Sequence, residues 1–139
     1  MPEKKTLENA KRDLRQGKSP STAAGEFVKE EIEHVRQGKH GARSAKQAIA
    51  IGLSKARRAG VDLPPPRRGS ARIKAQAQRD EAAGRHPHAP AKKRSRATLK
   101  ALKREGRSAA SHKALAAQAR RSAATRRRSA RGRKSARTR

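Results

Sequence analysis

Apolar residues along this chain recur at three- and four-residue steps and nowhere in strict alternation, a pattern that predicts helices and no strands. Leu7, Ala10 and Leu14 mark a weak stripe on a short segment from Thr6 to Gln16, which Gly17 closes. A second segment starts where Ser21 or Thr22 supplies an N-cap, with Glu26 near the place of a capping-box acid. Ala24, Phe27, Val28, Ile32 and Val35 follow on one face, Glu31 interrupts it, and Gly38 ends it. The third segment opens on Ser44 and runs from Ala45 to Arg58, with Gly60 as its stop. Its face of Ala45, Ala48, Ile49, Gly52, Leu53 and Ala56 is small enough to admit a close neighbour. Antiparallel packing then sets Phe27, Val28, Ile32 and Val35 against Ile49, Leu53 and Ile51, with burial greatest at Phe27, Ile32, Ile49 and Leu53. That hairpin is the core the pattern offers.

Val61-Asp62-Leu63-Pro64-Pro65-Pro66 reads as an extended linker whose Val61 and Leu63 reach back over the open end of the hairpin. Beyond it, Ser70 to Ala83 has helical character with Ile73 as its one large apolar residue. Pro87 and Pro90 break the HPHAPAKKRSR stretch, and Thr98 to Glu105 forms a short helix ended by Gly106. Ser108 to Arg128 is rich in helix-favouring Ala, Gln and Arg but repels itself. The final RRRSARGRKSARTR is low in complexity and expected to be disordered in the free chain. RQGK occurs twice, at Arg15 to Lys18 and Arg36 to Lys39, each time closing a helix. The expected fold is all-α: a short N-terminal helix (1–19), a small helical hairpin (20–63), a Pro-rich linker (64–69) and a long, conditionally helical or disordered basic tail (70–139).

Composition sharpens this. Only 32% of the 139 residues are hydrophobic, many of them alanine, and Phe27 is the sole aromatic, so a core spanning the whole chain is out of reach. The formal net charge is +28, divided as +6 over residues 1–66 and +22 over 67–139. Repulsion on that scale calls for a polyanionic partner. With no cysteine, disulfides and thiolate metal sites are excluded. The N-terminus lacks an apolar leader, and no apolar run is long enough for a bilayer, so the expectation is a cytoplasmic, nucleoid-associated protein without a membrane partner.

Candidate chemistry is sparse. Gly17-Lys18-Ser19 imitates the end of a phosphate-binding loop, but the glycine required five residues earlier is Arg12. His86-Pro87-His88 lacks a third ligand at usable spacing. No nucleophile, base or carboxylate pair has a scaffold to position it, so no enzyme activity, cofactor, metal or small-molecule substrate is expected. The loop Gly38-Lys39-His40-Gly41-Ala42-Arg43-Ser44 contains a G-x-x-G, by which KH modules clamp a sugar-phosphate backbone; the sheet of that module has no counterpart here. Two readings stay open for it: a glycine-capped turn, or a phosphate grip in which Lys39 and Arg43 flank a helix N-terminus.

The basic segment is less ambiguous. Lys92, Lys93, Arg94 and Arg96 make one cluster, and Lys103 and Arg104 a second. Arg120 and Arg121, then Arg126, Arg127, Arg128 and Arg131, then Arg133 and Lys134 follow, separated by Ala and Ser. Without aromatics to stack on bases, contact with phosphates and little base readout remain. The expected partner is the DNA phosphate backbone, bound without sequence preference by an architectural protein. RNA or ribosome association is one alternative, and an adaptor docking through Glu30, Glu31 and Glu33 is another. Phosphorylation at Ser95, Ser122 or Ser129, which follow basic residues, would weaken phosphate contact.

The stretch Lys46-Gln47-Ala48-Ile49-Ala50-Ile51, continued by Leu53, Ser54 and Ala56 and preceded by Gly38-Lys39, resembles a family of small basic bacterial proteins of unknown function. The likeness spans about Glu26 to Gly60 and implies a helical core and a bacterial origin, with no activity attached. The Lys/Ala/Ser/Arg tail resembles histone-H1-like nucleoid proteins in composition, though it favours Arg over Lys.

Overall fold

Three successive helices end in the same way, because a glycine follows each. The computed structural model describes residues 2–137. In it α1 (Lys4–Arg15), α2 (Pro20–Arg36) and α3 (Ala45–Arg58) are followed by Gly17, Gly38 and Gly60 at φ of 76°, 76° and 95°. The next amide then turns back to a carbonyl of the last turn: Lys18 to Asp13, Lys39 to His34 and Val61 to Ala56, each at 3.0 Å. The two RQGK copies are one closing motif built twice. Helix α2 starts earlier than the sequence suggested. Pro20 occupies the first helical position, where its missing N–H costs nothing, and Ser19 becomes the cap, its Oγ accepting from the Thr22 N–H at 3.3 Å.

Helices α2 and α3 pack with opposite sense, Val28 meeting Gly52 and Val35 lying with Ala48. A Cβ at Gly52 would sit 2.6 Å from the Val28 Cα, so the small face does admit a close neighbour. Phe27 is buried with Ala10, Ala23, Ala24, Ala56, Val61 and Leu63, with Leu7 and Leu53 at the edge. Val61 and Leu63 thus fold back as expected. Buried Arg57 holds them there by donating to the Leu63 and Pro64 carbonyls at 3.2 and 3.0 Å. Val35 buries with Ala42, Ala48, Ala109 and Ala110 in a second cluster. Among the side chains expected to be most buried, Phe27 is; Ile32, Ile49 and Leu53 are only half-buried. Alanine occupies the helix contacts, draws the backbones together, and leaves the longer aliphatic chains at the rim.

Helix α4 (Ala71–Arg85) lies against α3 with little apolar area, and Ile73 is exposed. Ala77, Asp80 and Gly84 make the contact instead. The buried Asp80 carboxylate accepts from Ser54 Oγ at 2.7 Å, Arg58 Nε at 2.8 Å and Gln76 Nε2 at 3.0 Å. A Cβ at Gly84 would fall 2.1 Å from the Arg57 carbonyl oxygen, so only glycine lets the two helices meet.

The basic segment is helical rather than disordered. Helix α5 (Lys92–Lys103) begins six residues before Thr98; Pro87 and Pro90 lie in the non-helical stretch between α4 and α5, as expected, and the helix starts soon after them. After a 3-10 turn (Ser108–Ala110), α6 (His112–Arg137) continues through the arginine-rich end; Thr138 and Arg139 of that stretch lie outside the described residues. Alanine, Gln and Arg supply the helix propensity. Leu115, Gln118, Ser122 and Ser129 repeat at three-, four- and seven-residue steps and form the half-buried face of α6, which rests on α3 and the 3-10 turn. Ala109 and Ala110 belong to the core with Val35, so packing joins the hairpin to residues well inside the basic segment. Among the described residues there is no strand, and no helix is long and apolar enough to cross a membrane.

Candidate nucleic-acid interface

The G-x-x-G loop between α2 and α3 is occupied by the protein itself. The Gly41 N–H donates to the Leu102 carbonyl at 2.8 Å and the Ala42 N–H to the Gly106 carbonyl at 3.1 Å. Leu102 lies in the last turn of α5, where its carbonyl accepts the Glu105 N–H at 3.1 Å, and the loop supplies it a second donor at that helix end. Contact is close enough that a Cβ on Gly41 would stand 1.9 Å from the Glu105 carbonyl oxygen. Lys39 pairs with Glu3 at 3.3 Å, and the Arg43 amide donates to Gln47 Oε1 at 2.6 Å. Two of the amides a phosphate would need are therefore bonded within the chain. The turn reading of this loop is the one its geometry favours; the Arg43 side chain is exposed on its edge.

Two acidic residues of α2, Glu30 and Glu31, face inward. Glu31 is 1% exposed, its Oε1 held by the Lys55 ammonium and its Oε2 3.1 Å from His40 Nε2. The other nitrogen of that buried ring, Nδ1, lies 2.9 Å from the Gly41 carbonyl, which ties the loop to the hairpin. Glu30 is buried as well, one oxygen accepting the Glu3 N–H. Only Glu33 of the proposed acidic docking face is exposed, so that face does not exist as a surface. Outside the core, Glu3 accepts from His34 and from Lys39, and these contacts hold its carboxyl below the usual glutamate range.

Cations, by contrast, line the outside. Every residue of α5 is exposed except half-buried Leu102, and the helix carries six Lys and Arg and no acid. At 100° per residue, Lys92, Lys93, Arg96, Lys100 and Lys103 share one face with Arg104 at its end, while Arg94 points elsewhere. On α6, Lys113, Arg120, Arg127 and Arg131 run opposite the half-buried face, flanked by Arg121, Arg128 and Lys134. Arg126 and Arg133 project nearer the packed side, and all of these cations are exposed. Lys100 and Lys113 were not singled out in the sequence; their helical spacing from Arg96 and Arg120 is the signal that finds them.

Residues 15–67 match a family model described as Family of unknown function (DUF6496). No curated protein and no solved structure matches the chain. The DUF6496 match fits a domain of unknown function and overlaps the Glu26 to Gly60 stretch noted above. It takes in α2, the loop, α3 and the proline linker, and it ends before the cationic faces of α5 and α6.

Proposed function

We propose that this protein binds the phosphate backbone of nucleic acid, DNA foremost, with little sequence preference, and acts as a nucleoid-associated architectural protein rather than an enzyme. One observation carries the reading: two helices present lysine and arginine on open faces, and no acidic residue lies beyond Glu105 to offset them. Helix α6 is about 39 Å long and α5 about 18 Å, at 1.5 Å per residue. Duplex DNA presents about one charge per 1.7 Å, so both faces have many phosphates in reach. The absence of Trp and Tyr, and the burial of Phe27, leave no large aromatic platform for an unpaired base. Helices of this charge lie readily in a groove once phosphates cancel their repulsion.

The test is fluorescence anisotropy with a labelled duplex across a salt series. About ten phosphate contacts give a slope of log K against log salt near −9, at roughly −0.9 per phosphate. Changing Arg120, Arg127 and Arg131 to Gln keeps the helix and should reduce that slope by about 2–3, with shuffled duplexes binding equally well. A parental slope in the triple variant refutes the role of α6. Tenfold preference for structured RNA over duplex at matched salt would move the reading to RNA.

A further inference from the structure

We propose that Glu3, Glu30 and His34 form a binding site for a divalent transition-metal ion of the zinc class. Glu30 and His34 are four residues apart on α2 and so project from one face, while Glu3 arrives from the residue that caps α1. One ligand atom from each of the three lies within 4.8 Å of the others, close enough to surround a single ion. Zinc takes histidine nitrogen together with carboxylate oxygens, the imidazole favours it over magnesium or calcium, and the two negative charges match a divalent cation.

An independent observation, the state of the Glu30 carboxylate, also suits a cation here. Glu30 is 4% exposed, and its Oε2 is a buried side-chain atom without a hydrogen-bond partner. Its other oxygen accepts only the Glu3 N–H. A carboxylate so buried is unfavourable until a positive charge reaches it. Neighbouring Glu31 differs, because Lys55 and His40 already take its two oxygens. His34 turns Nε2 toward Glu3 at 3.0 Å, so that nitrogen faces the carboxylate with which it would share the ion. The Lys39 ammonium, 3.3 Å from Glu3, is a competing cation at the site and would yield to the ion. Bound there, the ion would staple the N-terminal residues to α2.

Isothermal titration of the full-length, chelator-treated protein with zinc chloride tests this. One ion should bind per chain and raise the melting temperature. His34→Gln and Glu30→Gln should each weaken binding at least tenfold, whereas Lys39→Ala should tighten it by removing the competing charge. A purely structural role for Lys39 predicts no such gain. The double variant His86→Ala, His88→Ala should bind like the parent. No saturable heat in the parent, or binding lost only with His86 and His88, overturns the proposal. If Glu30→Gln fails to fold, His34→Gln and Lys39→Ala still decide it, since their expected effects have opposite sign.

Discussion

Adding one methyl group to Gly41 should undo the contact between the loop and α5. Gly41 has no positive φ, so alanine there meets no backbone strain and only the crowding matters. Its Cβ would stand 1.9 Å from the Glu105 carbonyl oxygen, 2.4 Å from the Glu105 carbonyl carbon and 2.7 Å from the Gly106 oxygen, all backbone atoms that no side-chain rotation can clear. The 105–106 segment has to withdraw, and with it go the Gly41–Leu102 and Ala42–Gly106 hydrogen bonds. Each is worth roughly 0.5–1.5 kcal/mol net, so Gly41→Ala should cost about 1–3 kcal/mol. For a chain of this size that is a fall of about 3–10 °C in melting temperature. Hydrogen exchange should show the amides of residues 41 and 42 losing protection while those within α3 keep theirs. Gly17→Ala is the control. Nothing lies within 4 Å of its Cβ, but its φ is 76°, so it carries dihedral strain of roughly 1–2 kcal/mol and leaves the loop amides protected. Should Gly41→Ala melt with the parent and retain slow exchange at residues 41 and 42, the docking of the loop on α5 is wrong. A phosphate grip predicts the opposite pattern: unchanged melting and a shallower salt slope.

Two further substitutions probe the packing. Phe27→Ala removes the largest side chain of its cluster and should cost about 3–5 kcal/mol, enough to abolish cooperative unfolding seen by circular dichroism; a cooperative melt in this variant would place the core elsewhere. Asp80→Ala should free α4 for proteolysis at Arg79 and Arg85 while α3 resists. Its cost is about 1–3 kcal/mol, because Arg58 is half exposed and water replaces its lost partner.

The hairpin could be read from sequence because its signals are local. Helical period, glycine stops and the small face around Gly52 all act within a few residues, and the structure realises each of them. The docking of α4 could not be read that way. Ala77-x-x-Asp80-x-x-x-Gly84 has helical spacing but no bulk, so a search for apolar stripes settles on Ile73, which is exposed. The loop–α5 contact joins residues 41 and 102 through backbone groups that every residue carries, so no side-chain type announces it. The start of α5 escaped for a different reason. A proline ahead of a helix permits it, so Pro90 marks the break but leaves open whether the helix begins at Lys92 or at Thr98. For the cationic residues, sequence supplied the membership and the helix supplied the sides: Arg94 leaves the shared face of α5, and Lys100 joins it.

An alanine core raises a question of register. Sliding α2 against α3 by one turn exchanges many alanine contacts for others, but it carries Val28 off Gly52 and onto a residue with a Cβ, which the backbone spacing does not admit. The buried carboxylates pin the same register a second time. In a slipped register Glu31 would lose Lys55 and His40, and Asp80 would lose Ser54 and Arg58 in the same way if α4 moved along α3. A carboxylate stranded in the interior costs several kcal/mol, more than the alanine contacts distinguish. The same placement shapes the surface charge. Asp13, Glu30, Glu31 and Asp80 are set inside, where Glu31 and Asp80 fix the packing, whereas Glu3, Glu8, Glu33, Asp62 and Glu105 stay exposed, as do the cations of α5 and α6.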